Sequence, residues 1–292
     1  MLINKKIPLS YIARSTYKDF LVLGIFTTLS FLLHLTTDFF TIPISISTFL
    51  GTAISLVLSF NLAQSYERWW EARKIWGEIV NDSRALVLQL KRFTSEADKE
   101  KYQEVVKLQI AWNYALVTSL RQTEDFSESL KYLTQEEQDS FLNVGHKPLW
   151  IYNLIQEKLK LFTTLNSYEQ IQIDSTLTRL TAHMGKSERI KNTKFPVEYQ
   201  LLLHFSIYLF LGFLSISLAN LGHHWEIFFL IVISAPFFLL ESTAKHLQNP
   251  FENIPSNVPI HSISRNIEIN LLTLIDAEDI PEAVRANGFY IN

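Results

Sequence analysis

Four stretches of this chain carry no charge, and three of them are long enough to cross a lipid bilayer. Residues Phe20 to Thr37 contain no Asp, Glu, Lys or Arg, and after Asp38 a second uncharged run extends from Phe39 to Tyr66, 28 residues. A third runs from Tyr199 to His224; after Glu226 a fourth, Ile227 to Leu240, has only 14 residues. A membrane-crossing helix needs about 20 largely apolar residues. The fourth run either borrows Trp225 and the stretch Glu241-Ser242-Thr243-Ala244 or stops short of full depth. A signal peptide accounts poorly for the first run, because no small-residue cleavage site follows "LLHLTTDFFTIP" and the next apolar run starts almost at once. The competing reading, a soluble core, rests mainly on the short fourth run.

Orientation follows from the basic residues. Lys5, Lys6, Arg14 and Lys18 precede the first run, and none lies between Asp38 and Pro43. Arg68, Arg73 and Lys74 follow the second run, and Arg189, Lys191 and Lys194 precede the third. The turn "ANLGHHWE" has none, and Lys245 follows the fourth run. Four crossings put every basic cluster on one side, which is then the cytoplasmic side. The chain is expected to be a multi-pass protein of the inner (plasma) membrane with both termini inside. A net charge of −3 offers no basic face for nucleic acid. The absence of cysteine excludes disulfides, thiolate metal sites and a cysteine nucleophile.

These runs divide the chain into an N-terminal arm (1–19), a first membrane hairpin (20–66), a cytoplasmic helical region (67–198), a second hairpin (199–241) and a cytoplasmic tail (242–292). The expected fold class is all-α. "WGEIVNDSRALVLQLKRF" and "KYQEVVKLQIAWNYALVTSL" repeat apolar residues at three- and four-residue steps, as amphipathic helices do. Asp82-Ser83 inside the first allows a cap or a kink. Thr134 followed by Glu137 fits a capping box. Lys147-Pro148 and Phe195-Pro196 mark helix starts or breaks. "HLQNPFENIPSNVPIHSISRN", with its prolines and asparagines, is expected to be extended, and "IEINLLTLI" resumes a helical pattern.

Within the second run Ser45, Thr48, Thr52, Ser55 and Ser59 recur at spacings of three and four, one stripe of a helix. Small hydroxyls on one face serve close helix packing in lipid or line a watery path, and the spacing does not separate the two. Catalytic constellations are poor: there is no G-x-S-x-G, H-E-x-x-H or phosphate loop. No catalytic residue, metal site or cofactor is expected. His223-His224 with Glu226 reads as a turn rather than a metal site. His34 and His204, within apolar runs, read as hydrogen-bonded buried histidines or as proton-relay groups. Glu67, Arg68, Glu71 and Arg73 read as helix ion pairs, and Trp69, Trp70 and Trp76 as an aromatic belt at the membrane surface.

The segment "FNLAQSYERWWEARKIWGEIVNDSR" (Phe60 to Arg84) resembles the signature of the bestrophin family of ion channels, prokaryotic branch. The likeness extends to "NTKFPVEYQLLLH" and to "LQNPFENIPSNVPIHSISRNIEINLL", so it covers nearly the whole chain in order. Its most specific residues are Arg68, Trp69, Trp70 and Glu71, and then Asn249, Pro250 and Phe251. The resemblance implies a ring-shaped homopentamer with four transmembrane helices per subunit. In that ring a single pore is lined by the second helix and continued by a cytoplasmic vestibule. By distance from Arg68 the family's neck maps to Thr52, Leu56 and Phe60, and its lower constriction maps to Phe195. Rings of apolar side chains expel water, and a dewetted neck gates ions without coordinating them.

Two departures stand out. Thr52 replaces the usual apolar residue, which makes the neck wetter. Ser59 and Asn61 stand where relatives tend to have Gly and Arg, so the field near the neck differs. The resemblance implies chloride or other small monovalent anions as the permeant ions, although bacterial members can prefer monovalent cations. The partners expected are other copies of the chain, membrane lipid and the permeant ions. A membrane-anchored interaction protein and an intramembrane enzyme built on the histidines are the readings from other classes.

Calcium-gated eukaryotic members place an acidic run just after Asn-Pro-Phe. Here that position reads Glu252-Asn253-Ile254-Pro255-Ser256-Asn257, with one carboxylate, and Asp276, Glu278 and Asp279 lie further on as a surface acidic turn. Calcium takes about six to eight oxygen ligands, usually from several carboxylates. We expect currents that do not respond to micromolar calcium. Dose-dependent opening in a bilayer, abolished by Glu252→Gln, would show the opposite.

Overall fold

The computed structural model describes residues 8, 17–28, 32, 42–193, 195–219, 223–286, 288, 290 and 291. Among them no β-strand forms, and the chain is all-helical. The elements are α1 (17–28), α2 (Ile44–Phe93), α3 (Lys99–Arg121), α4 (Ser127–Leu130), α5 (Gln135–Leu142), α6 (Lys147–Leu159), α7 (Ser167–Asn192), α8 (Val197–Leu218), α9 (His223–Gln248) and α10 (Ile260–Leu274). They fall into two units. A membrane unit comprises Lys5–Trp69 and Lys194–Gln248, and a second unit includes Trp70–Thr193 and Asn249–Asn292. Helix α2 passes from one into the other.

Among the described residues three helices are long and apolar enough to cross a membrane: α2, α8 and α9. Of the expected first span, residues 20–28 and 32 are described; its remainder lies outside the described residues, as do Lys5, Lys6, Arg14, His34 and Asp38. The short fourth run gains its depth from both ends, because α9 continues unbroken through Trp225 and Glu241 to Gln248. Its interior Pro236 does not end it, as is tolerated in membrane helices.

The core of the membrane unit is made by Leu23 of α1, Ile54 and Leu58 of α2, a row from Leu203 to Leu218 on α8, and Leu230 and Phe238 of α9. Gly51 makes the α2–α8 seam close: a Cβ there would meet Phe210 Cε2 at 2.9 Å.

In the second unit, α3 is the central helix, buried at nearly every position from Val105 to Val117. Local signals set the ends of the helices around it. Thr134 and Glu137 form the expected capping box at α5, and Asn166 and Glu169 form another at α7. Pro148 stands in the first turn of α6, where His146 Nδ1 accepts from the Leu149 N–H. Pro196 is the N-cap of α8. Asp82-Ser83 neither caps nor breaks α2; Ser83 is buried and accepts from Gln109 Nε2 at 3.0 Å. The tail is not extended as expected: residues 249–257 form turns and bends, and helix resumes at Ile260 and runs to Leu274.

One buried carboxylate ties this unit together. Glu268 of α10, 2% exposed, accepts from Tyr114 of α3 at 2.5 Å, from Tyr132, and from Arg265 at 2.6 Å. Arg265 also reaches Glu128 at 3.3 Å and lies over the Tyr114 ring. Burial and the Glu268 carboxylate push the Tyr114 phenol well above its usual range, so it stays a donor. Loss of a hydrogen bond to a buried charged group costs about 1.5–3 kcal/mol. We expect Tyr114→Phe to lower the melting temperature of the detergent-solubilised protein, and Tyr168→Phe, at a position 86% exposed, to leave it unchanged. Equal melting temperatures for all three proteins would show that Glu268 does not hold the unit together.

Candidate pore site

Within the membrane unit α2 has two unlike faces. Ser47, Gly51, Ile54, Leu58, Asn61 and Ser65 follow one another at three- and four-residue steps, and all are buried. The opposite face carries Thr52, Leu56 and Phe60, all exposed in the single chain, the last two at 60% each. Their i, i+4, i+8 spacing stacks them along one side of the helix. Ser45, Thr48, Thr52, Ser55 and Ser59 are all exposed as well, so they are not buried among the described residues. Three of their hydroxyls turn back on the helix: Thr48 donates to Ile44 O at 2.9 Å, Thr52 to Thr48 O at 2.9 Å, and Ser55 to Gly51 O at 2.7 Å. They present oxygen lone pairs and methyl groups outward.

Asn61 lies on the buried side of α2, where it is only 3% exposed. There it accepts from Gln248 Nε2 at 3.1 Å. Gln248 also donates to Ser65 Oγ at 3.2 Å and accepts from Gln200 Nε2 at 2.6 Å. Arg68 Nε donates to the Gln248 carbonyl at 2.7 Å, satisfying an acceptor at the C-terminus of α9. Gln248 and Gln200 were not legible as site residues. The one available signal was an amide at the end of an apolar run.

The family-signature residues serve different ends. Trp69 stacks with Tyr66 at 5.9 Å between ring centroids, and Trp70 is exposed. Trp76 is fully buried, so it belongs to the core of the second unit and not to an aromatic belt. In that unit Glu71 pairs with Arg189 of α7 at 3.2 Å, an ion pair between helices. Phe251 is buried, and the loop after it is closed by Asn257, whose Nδ2 donates to Asn249 O at 2.6 Å and Glu252 O at 3.1 Å. Val258 N donates to Pro250 O at 2.9 Å, closing the same loop. Phe195, half-buried, sits just before Pro196 with its ring 5.4 Å from Tyr199.

Two carboxylates in the membrane unit are held by local partners. Glu241 accepts from His204 Nδ1 at 2.9 Å and from Lys245 at 2.9 Å, which is how α9 carries a charge through an apolar stretch. His204 is hydrogen-bonded as expected, but it is only half-buried. Glu226, 1% exposed, accepts from Ser215 at 2.6 Å.

Residues 7–273 match the family described as bacterial/fungal bestrophin protein. The chain is 31% identical over 260 residues to the voltage-dependent anion channel-forming protein YneE of Escherichia coli (strain K12), covering 88% of this chain and 84% of that protein. It is 26% identical over 268 residues to the voltage-dependent anion channel-forming protein RSc3414 of Ralstonia nicotianae, covering 89% and 85%. In fold it is similar to the crystal structure of a bacterial bestrophin homolog from Klebsiella pneumoniae, with a TM-score of 0.82 at 24% identity over 89% of this chain and 98% of that one. The two-faced α2, the Arg68-Trp69-Trp70-Glu71 and Asn249-Pro250-Phe251 segments and these likenesses agree: the chain belongs to the bacterial/fungal bestrophin family, a family of ion channels and not of enzymes.

Proposed function

We propose that this bestrophin conducts chloride or other small monovalent anions through the axis of a ring-shaped homopentamer. The observation that carries the reading is the division of α2, with a buried face packed on α8 and an exposed face bearing Leu56 and Phe60. Two apolar side chains left uncovered along a helix call for a partner surface, and fivefold repetition of the same face provides one while enclosing a pore. In that ring Thr52, Leu56 and Phe60 form the neck, and Phe195 forms a second constriction. The names of the relatives support anions as the permeant species.

The fuller arrangement extends this reading. Each subunit crosses the inner membrane four times, with residues 20–66 and 199–241 as hairpins. Residues 1–19, 67–198 and 242–292 lie in the cytoplasm, as the bias of Lys and Arg directs. Lipid chains cover the exposed outer residues of α8 and α9, such as Leu202, Phe205 and Val232.

One observation favours a second reading, a monovalent-cation channel of the same fold. No basic residue lies between Phe39 and Tyr66, and the hydroxyl hydrogens of Thr48, Thr52 and Ser55 are committed to helix carbonyls. Oxygen lone pairs facing a lumen suit cations.

The reversal potential of the purified protein in asymmetric potassium chloride separates the two readings: we expect it near the chloride equilibrium potential, and a value near that of potassium selects the cation channel. No current at all would favour a membrane-anchored interaction protein. The detergent-corrected mass should equal five subunits, and one or two would remove the ring. Leu56→Ala with Phe60→Ala should raise the basal current at equal protein loading, because smaller side chains let water into the neck. An unchanged current would move the gate to Phe195.

A further inference from the structure

The side-chain amide of Gln248 is used on three sides. Both Nε2 hydrogens are directed at α2, one to Asn61 Oδ1 at 3.1 Å and one to Ser65 Oγ at 3.2 Å. Its Oε1 accepts from Gln200 of α8 at 2.6 Å. The residue is 5% exposed, and its own carbonyl is held by Arg68 of α2 at 2.7 Å. Ser65 reinforces the α2 side by donating to Asn61 O at 2.7 Å and lying 3.3 Å from Asn61 Oδ1. A single buried amide therefore bridges the end of α9 to one turn of α2 and the first turn of α8.

The positions of these partners matter. Asn61 follows Phe60 directly, about 100° further round the same helix turn, so a shift of Asn61 is a shift of Phe60. Gln200 follows Tyr199, which contacts the Phe195 ring at 5.4 Å. The neck helix and the segment carrying the second constriction are thus hydrogen-bonded to the same side chain. In a dry interior such an amide has few alternative partners, and leaving any of its groups unpaired is costly. Rotation or sliding of α2 that breaks the two Nε2 bonds favours reorientation of the whole amide, and with it release of Gln200.

We propose that Gln248 is a positioning residue that couples the neck at Leu56 and Phe60 to the constriction at Phe195, so that the two widen and narrow together. This rests on the channel reading above. It differs from a general contribution to stability, since it concerns how two distant substitutions combine. Coupling between sites typically amounts to about 5–150-fold in the measured equilibrium.

The test is a double-mutant cycle on basal current per reconstituted protein, with Leu56→Ala, Phe195→Ala and both together, repeated in a Gln248→Leu background. We expect the double variant to depart from the product of the singles by about fivefold or more in the parent, and to return to that product when Gln248 is Leu. Gln200→Leu, which removes only the α8 arm, should abolish the departure equally, and it serves where Gln248→Leu does not assemble. A departure that persists in either background, whatever happens to yield or melting temperature, overturns the proposal. So does a double variant that equals the product in the parent. Single variants that leave the current unchanged would overturn the constriction reading itself, and the coupling with it.

Discussion

Gly51 lets the α2 backbone approach α8 so closely that any side chain there would press on the Phe210 ring, with Cβ to Cε2 at 2.9 Å. Phe210 is itself 4% exposed and packed in the core of the membrane unit, so it has little room to move. This contact sets the rotation of α2 about its own axis. With Gly51 turned inward, Ile54, Leu58 and Asn61 follow it, and Leu56 and Phe60 face outward. Ser47 and Ser217 Oγ, 3.0 Å apart, mark the same seam one turn earlier. A bulky residue at position 51 would push α2 off the seam and take its opposite face with it. The function assigned to that face therefore rests on a missing side chain on the other.

The second unit solves a different problem. It must hold helices of very unequal length, from Ser127–Leu130 to Ser167–Asn192, together under a charged surface. It does so with the long central helix α3 and with polar ties placed where apolar packing runs out. Glu268 collects α3 and α10, and Lys158 of α6 joins Glu104 of α3 and Glu137 of α5, the latter at 3.3 Å. His183 of α7 lies within 3.1 Å of both Glu78 and Asp82 on α2, and Arg179 reaches Asp82 at 2.9 Å. The ties from α7 to these residues occupy one side of α2, the side that carries Glu71 to Arg189 as well.

Much of this was legible in the sequence, for physical reasons that differ by feature. The long uncharged runs of α2 and α8 could be read because hydrocarbon tolerates few other arrangements. The capping box at Thr134 and the helix starts at Pro148 and Pro196 could be read because the groups involved lie within a few residues of each other. The depth of α9 could not, since Glu241 finds a hydrogen-bond partner in His204, 37 residues away on another helix. Trp76 was misjudged because a tryptophan among charges looks alike whether it faces lipid headgroups or a protein core. The clearest gap is Gln248. Its partners lie 48 to 187 residues away in sequence, and no local pattern marks an amide that satisfies three of them.

The back-bonded hydroxyls of α2 have a mechanical consequence. A serine or threonine that donates to the carbonyl four residues earlier competes with the backbone N–H for that acceptor, and such residues commonly bend helices. Thr48, Thr52, Ser55 and Ser65 all do so between Ile44 and Asn61. After Ser65 no such bond is described within α2, and the next is that of Thr94, just past its last residue, to Leu90 O. Stiffness is thus unevenly spread along this helix. The part from Ile44 to Ser65, about six turns, is the one these bonds favour bending, and bending there would change the spacing of its side chains from a neighbour.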